Sequence, residues 1–190
     1  MIASTQRDIF PQYSPDGRRI AFYSNRSGSY EIWACDADGS KAAPVTLMKR
    51  GTTGSPRWSP DGSTIAFDSN ETGRYQVYTV GAEGGKVRQI TSGVPHFGSN
   101  WSRDGRWIYF ASSEQGNEQV WKIPSQGGDT VQVTRNGGSR LWFAKAKRSS
   151  LAPFAVDLAA LQQFVGRFVS DIEEPEFARG FLAPVKGDGG

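Results

Sequence analysis

Cysteine and histidine are almost absent from this 190-residue chain: Cys35 and His96 stand alone. One cysteine excludes an internal disulfide. One histidine excludes multi-histidine metal sites and weakens every His-based catalytic scheme. No run is long and apolar enough to cross a bilayer as a helix, so no membrane insertion is expected. Charge of one sign is scarce too. Lys and Arg number 22 against 19 Asp and Glu, a net charge of +3, which does not mark a nucleic-acid binder. Gly-x-Ser-x-Gly elbows, phosphate loops and dinucleotide fingerprints are missing. The first residues, MIASTQRDIFP, lack the basic leader and apolar stretch of a secretion signal. As written the chain is expected in the cytoplasm, with the periplasm open if a leader has been removed.

What is plentiful is turn-forming and aromatic. There are 23 Gly and 10 Pro, and aromatics make up 12% of residues, including six Trp. Frequent turns argue against a helical bundle, and the rings supply a core. The length suits one domain and is short for two.

The chain repeats itself. Residues 11–22 (PQYSPDGRRIAF), 56–67 (PRWSPDGSTIAF) and 99–110 (SNWSRDGRWIYF) align without gaps. Each continues into a polar, Gly-containing stretch and a second apolar strand: YEIW, YQVY and EQVW. A turn follows (DADG, AEGG, SQGG), and each unit closes on Thr46, Thr91 or Thr134. Alternation of Ile20 and Phe22 with Ala21, and of Ile65 and Phe67 with Ala66, is the period-two signature of a strand. In Pro-Asp-Gly the proline presets φ, the Asp bonds its own backbone and the Gly accepts positive φ. Arg103 replaces the proline in the third unit. Four short strands repeating every 43 to 45 residues make the arithmetic of a β-propeller blade.

These motifs resemble the TolB-like propeller repeat, a WD-repeat-like family, over about residues 10–134 in three copies. The resemblance implies an all-β fold of three four-stranded antiparallel blades, spanning about 10–46, 55–91 and 98–134 within a unit of 1–138. The family's complete propellers have six or more blades, so three blades imply a partial ring or a six-bladed one completed by a homodimer. From residue 139 the repeat stops. The tail, 139–190, carries apolar residues at Phe154, Leu158, Leu161, Val165, Phe168 and Ile172, steps of four and three that predict a helix over about 153–172.

The remaining motifs read as structure. Asp36, Asp38 and Gly39 lack the later ligands of a calcium loop and read as a turn. Cys35 follows Trp33 in a strand and reads as a buried, inert thiol. Lys145, Lys147 and Arg148 read as a solvated linker. The aromatics Tyr13, Trp58 and Trp101, at one repeat position, read as core between blades. No catalytic residue, metal site or cofactor is expected. The resemblance implies a non-catalytic scaffold for a protein or peptide partner, with Asn25, Arg26, Asn70, Glu71, His96 and Asn100 as exposed loop candidates. The alternative is the substrate-gating propeller of a prolyl-oligopeptidase-like or tricorn-like peptidase whose catalytic domain lies elsewhere.

Overall fold

A computed structural model describes residues 7–48 and 50–135. The helix expected over 153–172 and the basic cluster at 145–148 lie outside the described residues. Among the described residues twelve strands form three sheets of four. The first blade is β1 (Asp8–Tyr13), β2 (Arg19–Ser24), β3 (Glu31–Asp36) and β4 (Ala43–Pro44). The second is β5 (Thr53–Trp58), β6 (Thr64–Ser69), β7 (Gln76–Gly81) and β8 (Arg88–Gln89). The third is β9 (His96–Trp101), β10 (Trp107–Gln115), β11 (Asn117–Pro124) and β12 (Val131–Gln132). Every pairing is antiparallel and sequential. Among the described residues no helix is long and apolar enough to cross a membrane.

Each Ser-(Pro/Arg)-Asp-Gly segment builds the same turn between the first two strands of its blade. In the first, the Ser14 hydroxyl donates to Asp16 Oδ1 at 2.6 Å, Arg18 N donates to the same oxygen at 3.1 Å, and Gly17 sits at φ 73°. Asp61 and Asp104 are held alike by Ser59 and Ser102, at 2.5 and 2.6 Å. The serine hydroxyl bond holds each carboxyl below its usual range, Asp104 at about 2. The closing threonines repeat as well. Thr46, Thr91 and Thr134 Oγ1 each accept an amide of the third strand, from Ile32, Val77 and Val120, at 2.9 Å. Each donates to a buried Glu31, Gln76 or Gln119 side chain at 2.5 to 2.9 Å. These bonds clip the short outer strand to its sheet.

Alternation along the strands divides each blade into two apolar faces. Ala21, Ile32 and Ala34 of the first blade pack against Trp58, Ile65, Phe67, Tyr78 and Val80 of the second. Ala66, Val77 and Ile90, on the far side of the second blade, pack against Ile108, Phe110, Trp121 and Ile123 of the third. Two indoles lock the junctions. Trp58 Nε1 donates to the Gln12 carbonyl at 3.1 Å, and Trp101 Nε1 to the Arg57 carbonyl at 3.0 Å. Tyr13 corrects the expectation of a core ring: it is 62% exposed, because no blade among the described residues precedes the first.

Candidate binding face

The blades have two ends. One carries the Ser-Pro-Asp-Gly turns. The other carries the hairpins between second and third strands and the connections into β5 and β9. At this loop end the connections are pinned to the hairpins, that into β5 to the hairpin of its own blade and that into β9 to the hairpin of the preceding blade. Thr52 N donates to Asn70 Oδ1 at 2.6 Å, and His96 N donates to the Tyr75 carbonyl at 2.8 Å. Gly51 is required here: it sits at φ 70°, and a Cβ would come 2.5 Å from Asn70 Oδ1 and 2.9 Å from Glu71 N.

Five of the six sequence-predicted residues gather at the loop end, but they are less exposed than expected. His96 is the main correction. It is 3% exposed, opens β9, and its Nδ1 lies 3.0 Å from Gln76 Oε1 with its ring edge-on to Phe110. The repeat explains this, since His96 occupies the slot of Asp8 and Thr53, the first residue of an inner strand. Arg26 is half-buried: its guanidinium meets Asp8 Oδ2 at 2.6 Å and lies over the rings of Phe22 and Trp33. Asn25, Asn70 and Glu71 are half-buried, and Asn70 serves the connection just described. Asn100 is no loop residue but lies in β9, half-buried, its Oδ1 accepting the Trp101 amide at 2.9 Å.

What the sequence reading missed is an aromatic patch. Five large apolar side chains are exposed among the described residues, and three of them, Phe10 (40%), Leu47 (69%) and Tyr75 (39%), sit at the loop end. Phe10 stacks on Tyr23 at 5.8 Å, and Tyr23 meets Tyr30 edge-on at 5.6 Å. Burial pushes the Tyr23 phenol up, and the neighbouring Tyr30 and Tyr75 add to the shift. A signal was available. Phe10 shares its repeat slot with Ser55 and Gly98, and Tyr23 shares its slot with Asp68 and Ala111, so these aromatics depart from the repeat.

Asp68 is the polar counterpart of Tyr23 at the next junction. It is buried and accepts from Gly98 N at 2.9 Å. Burial pushes its carboxyl up to about 6 against the pull of the Gly98 amide and the Arg57 guanidinium. Cys35 is 1% exposed, and burial pushes its thiol up, which makes it a poor nucleophile. Among the described residues no group of three or more His, Cys, Asp or Glu side chains could hold a metal ion.

Comparison with known proteins places these features. Residues 48–149, just over half of the chain, match the family model described as the TolB beta propeller domain. A putative TolB structure from Agrobacterium tumefaciens superposes with a TM-score of 0.63 at 27% identity, over 71% of this chain and 48% of that one. TolB from Acinetobacter baumannii gives 0.62 at 24% identity, over 71% and 34%. An uncharacterised protein of Agrobacterium fabrum is 48% identical over 40 residues, covering 21% of this chain and 14% of that protein. The chain thus spans less than half the length of each of these relatives.

Proposed function

The chain belongs to the TolB beta propeller domain family, and from that premise we propose that it is a non-catalytic scaffold that binds a protein or peptide across its loop end. The carrying observation is the solvent-facing set of Phe10, Leu47 and Tyr75, backed by Tyr23 and Tyr30. Exposed tyrosine and phenylalanine on a rigid sheet scaffold supply large contact area at low entropic cost, the composition typical of interface cores. The half-buried polar residues at this end, Asn25, Arg26, Asn70 and Glu71, would form the rim. Supporting the non-catalytic reading, the sole thiol and the sole imidazole are buried, and the imidazole is held by Gln76 and Phe110.

The partners include a second copy of this chain, docked where Tyr13 faces solvent.

The test is selection of binders from a random peptide library displayed on phage, followed by calorimetry. Selected peptides are expected to bind in the micromolar range and to be rich in apolar residues. Tyr75→Ala is expected to weaken them about tenfold, as loss of a central aromatic anchor does. Binding indifferent to Tyr75→Ala and Leu47→Ser together would overturn the assignment of this face.

A further inference from the structure

The three blades are copies, so each junction is a control for the next. At the turn end of the first junction, the Arg19 side chain crosses from the first blade to the second. Its guanidinium lies 5.5 Å from the Trp58 ring, donates to the Ala82 carbonyl at 3.2 Å and pairs with Glu83. Beside it, Lys41 Nζ pairs with Asp36 Oδ2 at 2.9 Å. The junction therefore fills its own space and neutralises its own cations.

The second junction has the same backbone and different occupants. Thr64 stands in the slot of Arg19, and is too short to cross. Trp101 stands in the slot of Trp58. A cleft of about 370 Å³ takes up the place that Arg19 fills at the first junction, and Thr64, Trp101, Lys86, Arg88, Ser125 and Gln126 line it. The anions of the first junction are gone as well. Gly81 replaces Asp36, so Lys86 has no ion-pair partner among the described residues. Gln126 replaces Glu83, so Arg88, which takes the place of Ala43, meets a neutral group. Arg88 donates to Gln126 Oε1 at 2.9 Å and to the Gln126 carbonyl at 3.0 Å, which leaves further guanidinium donors unused. The two carboxylates at the rim are already engaged. Asp61 accepts from Ser59 and Ser63, and Asp104 from Ser102 and Arg106.

We propose that this cleft binds a planar carboxylate. The flat part of the ligand lies on Trp101, as the guanidinium of Arg19 lies on Trp58. Its carboxylate supplies Lys86 and Arg88 with the charge that Asp36 and Glu83 supply next door. A cation is the weaker occupant, because Gln126 Oε1, in the place of the Glu83 carboxylate, is neutral and already bonded to Arg88, which leaves the Ser125 carbonyl as the one counterpart of the acceptors that hold Arg19. This site is at the opposite end from the aromatic patch and does not rest on the peptide-binding reading.

The test titrates the whole chain with benzoate while the indole N–H signal of Trp101 is followed by NMR, assigned with Trp101→Phe. Benzamide is the neutral isostere, and N-acetylarginine amide is the cationic rival. Benzoate is expected to saturate in the millimolar range, with benzamide about tenfold weaker. Thr64→Arg rebuilds the arrangement of the first junction and is expected to abolish the shift without lowering stability. Lys86→Ala with Arg88→Ala, both exposed, gives a second route that leaves the fold intact, and is expected to weaken benzoate about tenfold. Arg19→Thr opens the first junction but keeps Asp36 and Glu83, so no second benzoate site is expected. Equal binding of benzoate and benzamide, tighter binding of the arginine amide, or benzoate binding unchanged in both Thr64→Arg and the double variant would each overturn the proposal.

Discussion

Asp68 and Tyr23 occupy one position of the repeat and solve one packing problem in two ways. Both reach across a junction to the bulged inner strand of the next blade. Tyr23 lays its ring against Gly54, where an added Cβ would come 3.5 Å from it. Asp68 instead accepts the Gly98 amide from inside the protein. The carboxylate is the costlier solution, because desolvation outweighs its hydrogen bonds and raises the carboxyl from 3.8 to about 6. A raised carboxyl binds its proton more tightly in the folded chain than in the unfolded one. Its contribution therefore favours folding below about pH 4 and declines as pH rises to about 6, by up to about 3 kcal/mol. Asp68→Asn keeps an acceptor for the Gly98 amide without the charge. Urea unfolding at pH 4, 5, 6 and 7 is expected to show a flatter profile in that variant than in the parent. Identical slopes would mean that Asp68 does not titrate in this window.

The strand most altered by its neighbours is the inner one of each blade. A bulge interrupts the pairing of β1, β5 and β9 with their partners at one repeat slot. There Phe10, Ser55 and Gly98 all adopt positive φ, at 53°, 54° and 69°. Only the third blade uses the residue suited to that conformation, so the tertiary position imposes the bulge on the other two. Gly98→Ala meets no atom within 4 Å and tests the backbone term alone. It is expected to destabilise by about 1 kcal/mol in chemical denaturation. Ser55→Gly is expected to change little, since relief of strain is offset by the entropy of the unfolded glycine. The bulge is also where sequence reading ran out. Period-two alternation, the Asp-Gly turns and the closing threonines are local and appear in the residues themselves. Tyr13, Trp58 and Trp101 look equivalent in sequence, yet one is solvent-facing and two are covered, because exposure depends on which blade stands alongside. His96 read as a connection for a related reason. Its slot is held by Asp8 and Thr53 in the other blades, residues that share no chemistry with it but share its place at the start of an inner strand. The aromatic patch was legible only as departure from the repeat, at slots where a core role would have kept the copies alike.

At the scale of the whole molecule, the junction is directional. The following blade gives an aromatic ring, and the preceding blade gives an inner-strand carbonyl: Trp58 to Gln12, then Trp101 to Arg57. By the same progression the Asn100 carbonyl is the next acceptor, and Tyr13 is the aromatic that lacks one among the described residues. Two copies would satisfy both ends at once, Tyr13 of each against Asn100 of the other, in a twofold ring of six blades. The contact is head-to-tail, so it closes without propagating only where three blades turn through half a circle, as they do in a six-bladed ring. Light scattering after size exclusion is expected to give twice the chain's mass, falling towards the single chain on dilution. Tyr13→Glu places a charge in the contact, while its 62% exposure in the single chain leaves the fold untouched. The variant is expected to run as a monomer with the circular dichroism of the parent. A parent chain that stays monomeric at every concentration, or a Tyr13→Glu dimer as tight as the parent, would rule the two-copy ring out. A monomeric parent that still bound peptides through Tyr75 would show that recognition at the loop end needs no closure at all.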